Sequence, residues 1–162
     1  SGYSGAGKGL HKNFKQKKIF ESVTAYGVAS HKHVAEIDQE LQKITKKKIN
    51  VTFTPHLSPM FRGILSTIYL NLNKNVNASN VYKYLKNYYK KNYFVSINKF
   101  NKPIGTTEVM NTNKCLISVC KGKNKNKIII LSAIDNLIKG GSGQAVQNMN
   151  KIYGFHYMKG FK

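Results

Sequence analysis

Two histidines separated by a single residue, His31 and His33, are the first candidates for chemistry in this sequence. Imidazole titrates near neutral pH, so either side chain could give or take a proton in a reaction. The pair lies where a loop enters a predicted helix. The structural alternative is that one histidine hydrogen-bonds at the helix start while the other faces solvent. A metal ion would need a third ligand, and no other histidine or cysteine is suitably spaced, so we predict an acid–base role and no metal site.

Arg62 is the only arginine in the chain, and every other basic residue is a lysine. Lysine and asparagine have A/T-rich codons, so drift in a biased genome would replace arginine wherever lysine serves equally well. The arginine that remains then marks a position that needs the planar guanidinium, which binds a carboxylate or phosphate through two parallel hydrogen bonds. The alternative is a structural pair between Arg62 and a carboxylate of the chain itself.

Two glycine-rich segments could bring the backbone close to a ligand. In residues 4–9 (SGAGKG), successive small residues let backbone N–H groups converge on an anion, and Lys8 adds positive charge. The spacing of a nucleotide-binding P-loop is missing, and a flexible loop is the alternative. Residues 140–143 (GGSG) precede a predicted helix. They favour equally the close approach of a cofactor and packing against another domain.

The chain is strongly basic, with 27 lysine and arginine residues against 6 aspartate and glutamate residues and a formal net charge of +21. This charge favours non-specific attraction to nucleic acids and other anionic polymers. Proteins that read nucleic acids usually favour arginine, so we interpret the charge as compositional drift and predict no specific nucleic-acid partner. A basic RNA-binding module, with some of the 10 tyrosines and 8 phenylalanines stacked on bases, is the alternative function.

The length of 162 residues suits one domain and is too short for an enzyme that also carries a dinucleotide-binding half. No apolar run predicts a membrane span, and the small, polar start lacks the apolar segment of a secretory signal. The missing initiator Met indicates a processed chain or a fragment. Cys115 and Cys120 lie five residues apart in a strand-like run, on opposite faces. We therefore predict two free, buried, inert thiols and a reducing, cytoplasmic setting.

The spacing of apolar residues predicts the elements that must position these side chains. Predicted strands cover residues 19–26, 50–54, 63–72, 93–97, 115–120 and 128–133. Predicted helices cover residues 33–47, 79–90 and 144–153. A turn between Pro55 and Pro59 is predicted to present His56, and residues 121–127 are a predicted hairpin turn. This order predicts an α+β fold, a mixed, largely antiparallel sheet with helices on one face, in a single domain over residues 1–162.

Four ordered segments resemble the N-acetyl-gamma-glutamyl-phosphate reductase family. They are SGYSGAGKG at 1–9, AYGVASHKHVAEIDQEL at 25–41, VTFTPHLSPMFRGILSTIY at 51–69 and SAIDNLIKGGSGQAVQNMN at 132–150. The family is similar in fold to glyceraldehyde-phosphate and aspartate-semialdehyde dehydrogenases. The resemblance implies that this chain is the C-terminal α+β domain, which serves substrate binding and dimerisation. The N-terminal dinucleotide-binding domain and the nucleophilic cysteine would then lie outside these residues.

The resemblance also implies an activity and the residues that serve it. The reaction is the NADPH-dependent reduction of N-acetyl-glutamyl 5-phosphate to the 5-semialdehyde and phosphate, in arginine biosynthesis, through a cysteine thioester. His31 or His33 would be the acid–base that serves the thiolate. Substrate-binding and orienting groups would be Ser4, Lys8, Tyr26, Glu36 and Arg62. Groups near the nicotinamide of NADP would be Asn136, Gly143 and Gln144.

The chain departs from the family pattern at Lys8 and Lys32, where the family usually has arginine. A lysine weakens bidentate phosphate binding, so a relative that keeps the fold without catalysis is a further alternative. The resemblance implies an acyl phosphate substrate, an N-terminal half as partner and a homo-oligomer in the cytoplasm. We expect the 162 residues alone to be inactive.

Overall fold

The computed structural model describes residues 1–5 and 19–161. The chain divides into two compact units, Ser1–Met60 and Phe61–Lys162, and each is described by itself. The single domain assigned to residues 1–162 stays a prediction. Within the described ranges, no helix is long and apolar enough to cross a membrane.

Among the described residues of the first unit are a 13-residue helix and a short two-stranded ladder. Strand β1 (Thr24–Ala25) pairs antiparallel with strand β2 (His56–Leu57). Helix α1 (His33–Thr45) lies between them in sequence and confirms the predicted helix. It ends where Lys46 adopts a left-handed conformation (φ 56°) and its N–H donates to the carbonyl of Gln42.

The strand predicted over residues 19–26 is limited to β1, and two further predictions for the first unit are wrong. Residues 50–54 form no strand, and His56 lies in β2 rather than in a turn. The ladder with β1 is only two residues long and begins after Pro55, whose carbonyl accepts from the Tyr26 N–H at 3.1 Å. Residues 50–54 pair with no strand among the described residues, despite their alternating pattern.

The second unit is built on a four-stranded sheet in the order β3-β6-β5-β4. Its strands are β3 (Ile64–Asn71), β4 (Val95–Ile97), β5 (Cys115–Lys121) and β6 (Lys127–Ile134). Strand β6 pairs antiparallel with β3 and β5, whereas β4 pairs parallel with β5. The predicted α+β fold with a mixed, largely antiparallel sheet is confirmed, including the β5–β6 hairpin.

Two helices complete the second unit. Helix α2 (Ala78–Tyr88) packs against β4 and β5 and starts with a capping box, in which the side chains of Asn77 and Asn80 each accept from the other's backbone N–H. Helix α3 (Gly143–Ile152) follows a single π-type turn (Ile138–Ser142). The buried apolar cluster consists of Ile104, Val109 and Ala133, with Leu116 and Leu131 packed against it.

Candidate active site

The sheet register brings polar groups together at one end of the second unit. Ile64 at the start of β3 pairs with Ile134 at the end of β6, and Cys115 at the start of β5 pairs with the same Ile134. The residues just outside these three strand ends must therefore be neighbours. They include Arg62, Asn111 and Asp135, which we call the Arg62 cluster.

Asp135 is the centre of the Arg62 cluster and has no exposed surface. Its Oδ2 accepts from the backbone N–H of Asn111 at 2.8 Å and from Nη1 of Arg62 at 3.0 Å. Its Oδ1 accepts from the backbone N–H groups of Leu137 at 2.9 Å and Ile138 at 3.1 Å. Both carboxylate oxygens are thus satisfied, which a buried charge requires.

The balance of burial and hydrogen bonding keeps Asp135 ionised. Burial by itself would raise the pKa of Asp135, but the four donors, with the Asn111 N–H the strongest, lower the pKa below its ordinary value. An anion at this position in turn stabilises the positive charge of Arg62.

Arg62 forms an ion pair with Asp135, a carboxylate of the chain itself. This pair is the structural alternative to a role in ligand binding. The pair uses one nitrogen of the guanidinium, because Nη1 donates to Asp135 and, at 2.9 Å, to Oδ1 of Asn111. The Nε–H and the two Nη2–H donors have no acceptor among the residues that the structure describes. The side chain is 22% exposed, so this edge of the guanidinium can take part in binding a second anion.

The backbone beside Arg62 is tied to the same strand end. The N–H of Gly63 donates to Oδ1 of Asn136 at 2.7 Å. Gly63 has a φ of 116°, and a Cβ there would lie 2.7 Å from Cβ of Thr106. Only glycine fits this position, which holds Arg62 close to Asp135.

Gly143 starts α3 and is buried against side chains of its own unit. A Cβ at Gly143 would clash with Oδ1 of Asn113 and would lie 2.7 Å from Cγ2 of Ile138. Nδ2 of Asn113 donates to Oε1 of Gln147 at 3.2 Å, and Nζ of Lys139 donates to the same oxygen at 2.7 Å. Desolvation by burial lowers the pKa of Lys139. The glycine therefore permits close packing within the chain.

Asn136 and Gln144 differ in exposure and partners. Asn136 is half-buried and accepts from the backbone of Gly63. Gln144 is also half-buried, but its Nε2 donates to Oδ1 of Asn148 one turn along α3, at 2.8 Å. Their role near a nicotinamide stays a prediction.

The histidine pair lies in the first unit, inside a group of rings. The ring of His31 contacts those of Tyr26, His33 and Phe53, with centroids 5.5, 4.7 and 5.5 Å away. Nδ1 of His31 accepts from the backbone N–H of His33 at 3.3 Å. Gly27, with a φ of 54°, lies so close that a Cβ would be 3.2 Å from the His31 ring. These contacts orient His31, while His33 is exposed at the first turn of α1.

The remaining predicted site residues are also in the first unit. Glu36 is exposed in the first turn of α1, and Tyr26 contacts His31 through its ring. Ser4 lies in the 3₁₀ turn of residues 3–5, and the backbone of Tyr3 donates to Met60. Lys8 lies outside the described residues. That the histidines, Arg62 and the opening glycine loop serve one substrate, as the resemblance implies, stays a prediction.

Both cysteines are free and lie in β5, as predicted, but they are half-buried rather than buried. Sγ of Cys115 is 3.5 Å from Oγ of Ser132, and Sγ of Cys120 is 3.6 Å from Oγ of Ser118. Neither contacts a histidine among the described residues, so neither resembles an activated nucleophile. In the same ranges, no group of three or more His, Cys, Asp or Glu side chains is arranged to hold a metal ion.

Sequence reasoning did not assign roles to Asp135, Asn111, Asn113 and Gln147. A weak signal existed for Asp135, because the chain has only 6 acidic residues and this one ends an apolar strand. Nothing in the sequence indicates Asn111, since asparagine is abundant throughout the chain.

A family model connects this arrangement with known proteins. The model described as "Semialdehyde dehydrogenase, dimerisation domain" matches residues 1–136, which is most of the chain. The chain belongs to the semialdehyde dehydrogenase dimerisation domain family. The predicted resemblance is thereby confirmed at the level of the domain.

Two curated relatives of this dimerisation domain have the same name. N-acetyl-gamma-glutamyl-phosphate reductase from Thermoanaerobacter pseudethanolicus is 47% identical over 154 residues, covering 95% of this chain and 45% of the relative. The enzyme of the same name from Staphylococcus aureus strain MRSA252 is 40% identical over 162 residues, covering 100% and 47%. The chain thus spans about half the length of the relatives it matches.

Solved structures agree on the fold of this dimerisation domain. Aspartate semialdehyde dehydrogenase from Francisella tularensis matches with a TM-score of 0.66 and 15% identity, over 89% of this chain and 43% of that one. Aspartate semialdehyde dehydrogenase II from Vibrio cholerae matches with a TM-score of 0.59 and 19% identity, over 77% and 38%. At these identities the likeness concerns the fold alone.

Proposed function

We propose that this chain is the substrate-binding and dimerisation part of an NADPH-dependent N-acetyl-gamma-glutamyl-phosphate reductase. The observation that carries the proposal is 47% identity over 95% of the chain to a relative of that name. The reaction converts N-acetyl-glutamyl 5-phosphate to the 5-semialdehyde and phosphate. We place the nucleophilic cysteine in the other half of the enzyme, because Cys115 and Cys120 lie in β5 and contact no histidine among the described residues.

In this proposal the histidine pair moves the protons. His31 or His33 takes the proton of the nucleophilic thiol as its sulfur attacks the acyl carbon and phosphate leaves. The ring contacts of His31 with Tyr26 and Phe53 support this role, because they restrict the orientation of the imidazole. Tyr26 and Glu36 are proposed to orient the base or the substrate.

Arg62, with Ser4 and Lys8, is proposed to bind the substrate's carboxylate and phosphate. The Nε–Nη2 edge of Arg62, which has no acceptor in the part of the chain that the structure describes, supports this role, since that edge matches the two oxygens of an anion. Lys8 supplies positive charge but lacks the planar guanidinium that makes two parallel hydrogen bonds. Arg62 would therefore contribute most of the geometric specificity for the anion.

NADPH would supply the hydride and would be held mainly by the N-terminal half. On this chain, Asn136, Gly143 and Gln144 are proposed for the nicotinamide side. A homo-oligomer in the cytoplasm, formed through this dimerisation domain, completes the proposal.

The proposal is tested with a full-length chimera, in which residues 1–162 replace the matching segment of the Thermoanaerobacter pseudethanolicus reductase. We expect NADPH-dependent reduction of N-acetyl-glutamyl 5-phosphate by the chimera, and none by the 162 residues alone. Some activity should return when the N-terminal half is added in trans. An inactive, folded chimera would contradict the proposal, and activity of the isolated chain would show that the nucleophile is misplaced.

A second candidate function, RNA binding, is favoured by one observation on α2. Tyr84 and Tyr88 are 65% and 68% exposed, with rings stacked 6.0 Å apart, and Lys90 and Lys91 follow them. Exposed rings among lysines suit single-stranded bases. Sequence-selective binding that persists at physiological salt would support this function. Binding abolished by salt would indicate bulk charge alone.

A further inference from the structure

The strongest unassigned feature is the way Arg62 is anchored. Nη1 has two hydrogens, and the structure provides an acceptor for each, Oδ2 of Asp135 at 3.0 Å and Oδ1 of Asn111 at 2.9 Å. The guanidinium is planar, so two hydrogen bonds from the same nitrogen restrict the orientation of the whole group.

Asp135 is anchored more firmly than the arginine that it holds. It is completely buried, and three backbone N–H groups from two segments of the chain donate to it. The carboxylate therefore acts as a rigid support, while the arginine, 22% exposed, lies between that support and solvent.

Asn111 has the backbone conformation that this anchoring needs. Its φ is 61°, in the left-handed region that asparagine tolerates better than most residues. In this conformation its N–H donates to Asp135 while its Oδ1 accepts from Arg62. One residue thus closes a ring of three hydrogen bonds around Nη1.

We propose that Asp135 and Asn111 are positioning residues, which hold Nη1 of Arg62 so that its Nε–Nη2 edge binds an oxyanion of the substrate. This inference rests on the proposed function. The oxyanion is the α-carboxylate or the phosphate of N-acetyl-glutamyl phosphate, and the experiment below distinguishes them. Removal of either support leaves the positive charge in place but misaligns the edge.

The test measures access to Arg62 in the full-length chimera, by phenylglyoxal labelling and mass spectrometry of the peptide that contains it. Inorganic phosphate and N-acetylglutamate serve as probes of the two oxyanions. We expect one of them to protect Arg62 from labelling. In Asp135→Asn and Asn111→Gly, the probe concentration for half-protection should rise about tenfold, as expected for a misaligned bidentate site.

If Asp135→Asn does not fold, Asn111→Gly still tests the proposal. This variant should fold, because glycine adopts a φ of 61° without strain. Asn75→Gly is the matched control: Asn75 has a φ of 72° in the exposed loop before α2 and should leave protection unchanged. Asn111→Asp, which retains the acceptor oxygen, should restore most of the protection.

Steady-state kinetics supply a second readout in the oxidative direction. The comparison substrate is 4-acetamidobutanal, which lacks the carboxylate of N-acetylglutamate 5-semialdehyde. If Arg62 binds that carboxylate, the ratio of kcat/KM for the semialdehyde to kcat/KM for 4-acetamidobutanal should fall about tenfold in both variants. If it binds phosphate, the KM for phosphate should rise about tenfold. In either case kcat should change less than about threefold.

The proposal is overturned if neither probe protects Arg62, or if protection is the same in both variants and the parent. A loss of kcat with unchanged KM and unchanged substrate preference would also overturn it, since that pattern indicates a general structural defect. An inactive parent chimera in which Arg62 is still protected would refute the proposed function and leave the positioning role supported.

Discussion

The candidate groups of the two units are supported in different ways. In the first unit, His31 contacts three rings, and its Nδ1 accepts a hydrogen bond of 3.3 Å from the backbone of a residue two positions away. In the second unit, Arg62 bonds to groups 49 and 73 residues away, one of them a fully buried carboxylate.

The difference matches the chemistry proposed for each unit. A general base must change protonation state and approach a thiol, which suits a partly exposed ring on a loop. An oxyanion-binding arginine keeps its charge and needs a fixed direction, which suits a support of short hydrogen bonds to a rigid sheet end. Substitutions in the first unit should therefore affect turnover, and those in the second unit should affect binding and stability.

The largest expected effect is the loss of turnover when a residue of the histidine pair is substituted. In the chimera, either His31→Ala or His33→Ala should lower kcat by about 10²- to 10⁴-fold, and the other by much less, because only one imidazole transfers the proton. His156→Ala, an exposed histidine of the second unit, is the control. Unchanged turnover in both variants would refute the acid–base assignment.

The next effect concerns stability of the second unit and its dependence on pH. Asp135→Asn should destabilise the chimera by about 3 kcal/mol at neutral pH, because it breaks a buried ion pair. The pKa of Asp135 is lowered in the folded state, so its carboxylate stabilises the fold above its ordinary pKa, and this contribution disappears as the pH falls through the lowered value.

The difference in Tm between the parent chimera and Asp135→Asn should thus be largest near pH 7 and should narrow below about pH 4. Thermal unfolding monitored by circular dichroism across this range checks it. A difference that widens towards acidic pH would mean that Asp135 is protonated in the folded state.

A smaller loss is expected from close packing at the start of α3. Gly143→Ala should cost about 2 kcal/mol, since the added Cβ would clash with Asn113 and Ile138. Gly140→Ala is the matched control, because its Cβ would have ordinary contacts, the nearest at 3.5 Å from Ile134. Equal Tm values for the two variants would show that Gly143 is not tightly packed.

The smallest effect is expected from substitution of two glycines with positive φ, one in each unit. Gly27→Ala and Gly154→Ala should each cost about 1 kcal/mol in backbone strain. A Cβ at Gly154 has nothing within 4 Å, whereas at Gly27 it would press on His31. Only Gly27→Ala should therefore also lower kcat, and equal kcat values in the two variants would argue that the His31 orientation is unimportant.

Local patterns predicted most of the elements. Val34, Ile37 and Leu41 indicated α1, and the glycine- and lysine-rich turn between two apolar runs indicated the β5–β6 hairpin. The prediction failed for residues 50–54, where alternation was present but a partner strand was not. A strand needs a neighbour, and a single local pattern carries no information about one.

The sequence by itself determined the candidates: a histidine pair, a single arginine, the strands and helices near them, and the family that their order resembles. The tertiary structure decided what supports the arginine. Asp135 and Asn111 reach Arg62 because β3, β5 and β6 align Ile64, Cys115 and Ile134 at one sheet end. Arg62 and Asp135 are 73 residues apart in the sequence, so their contact depends on the register of the strands. Backbone hydrogen bonds set that register only when the whole sheet forms.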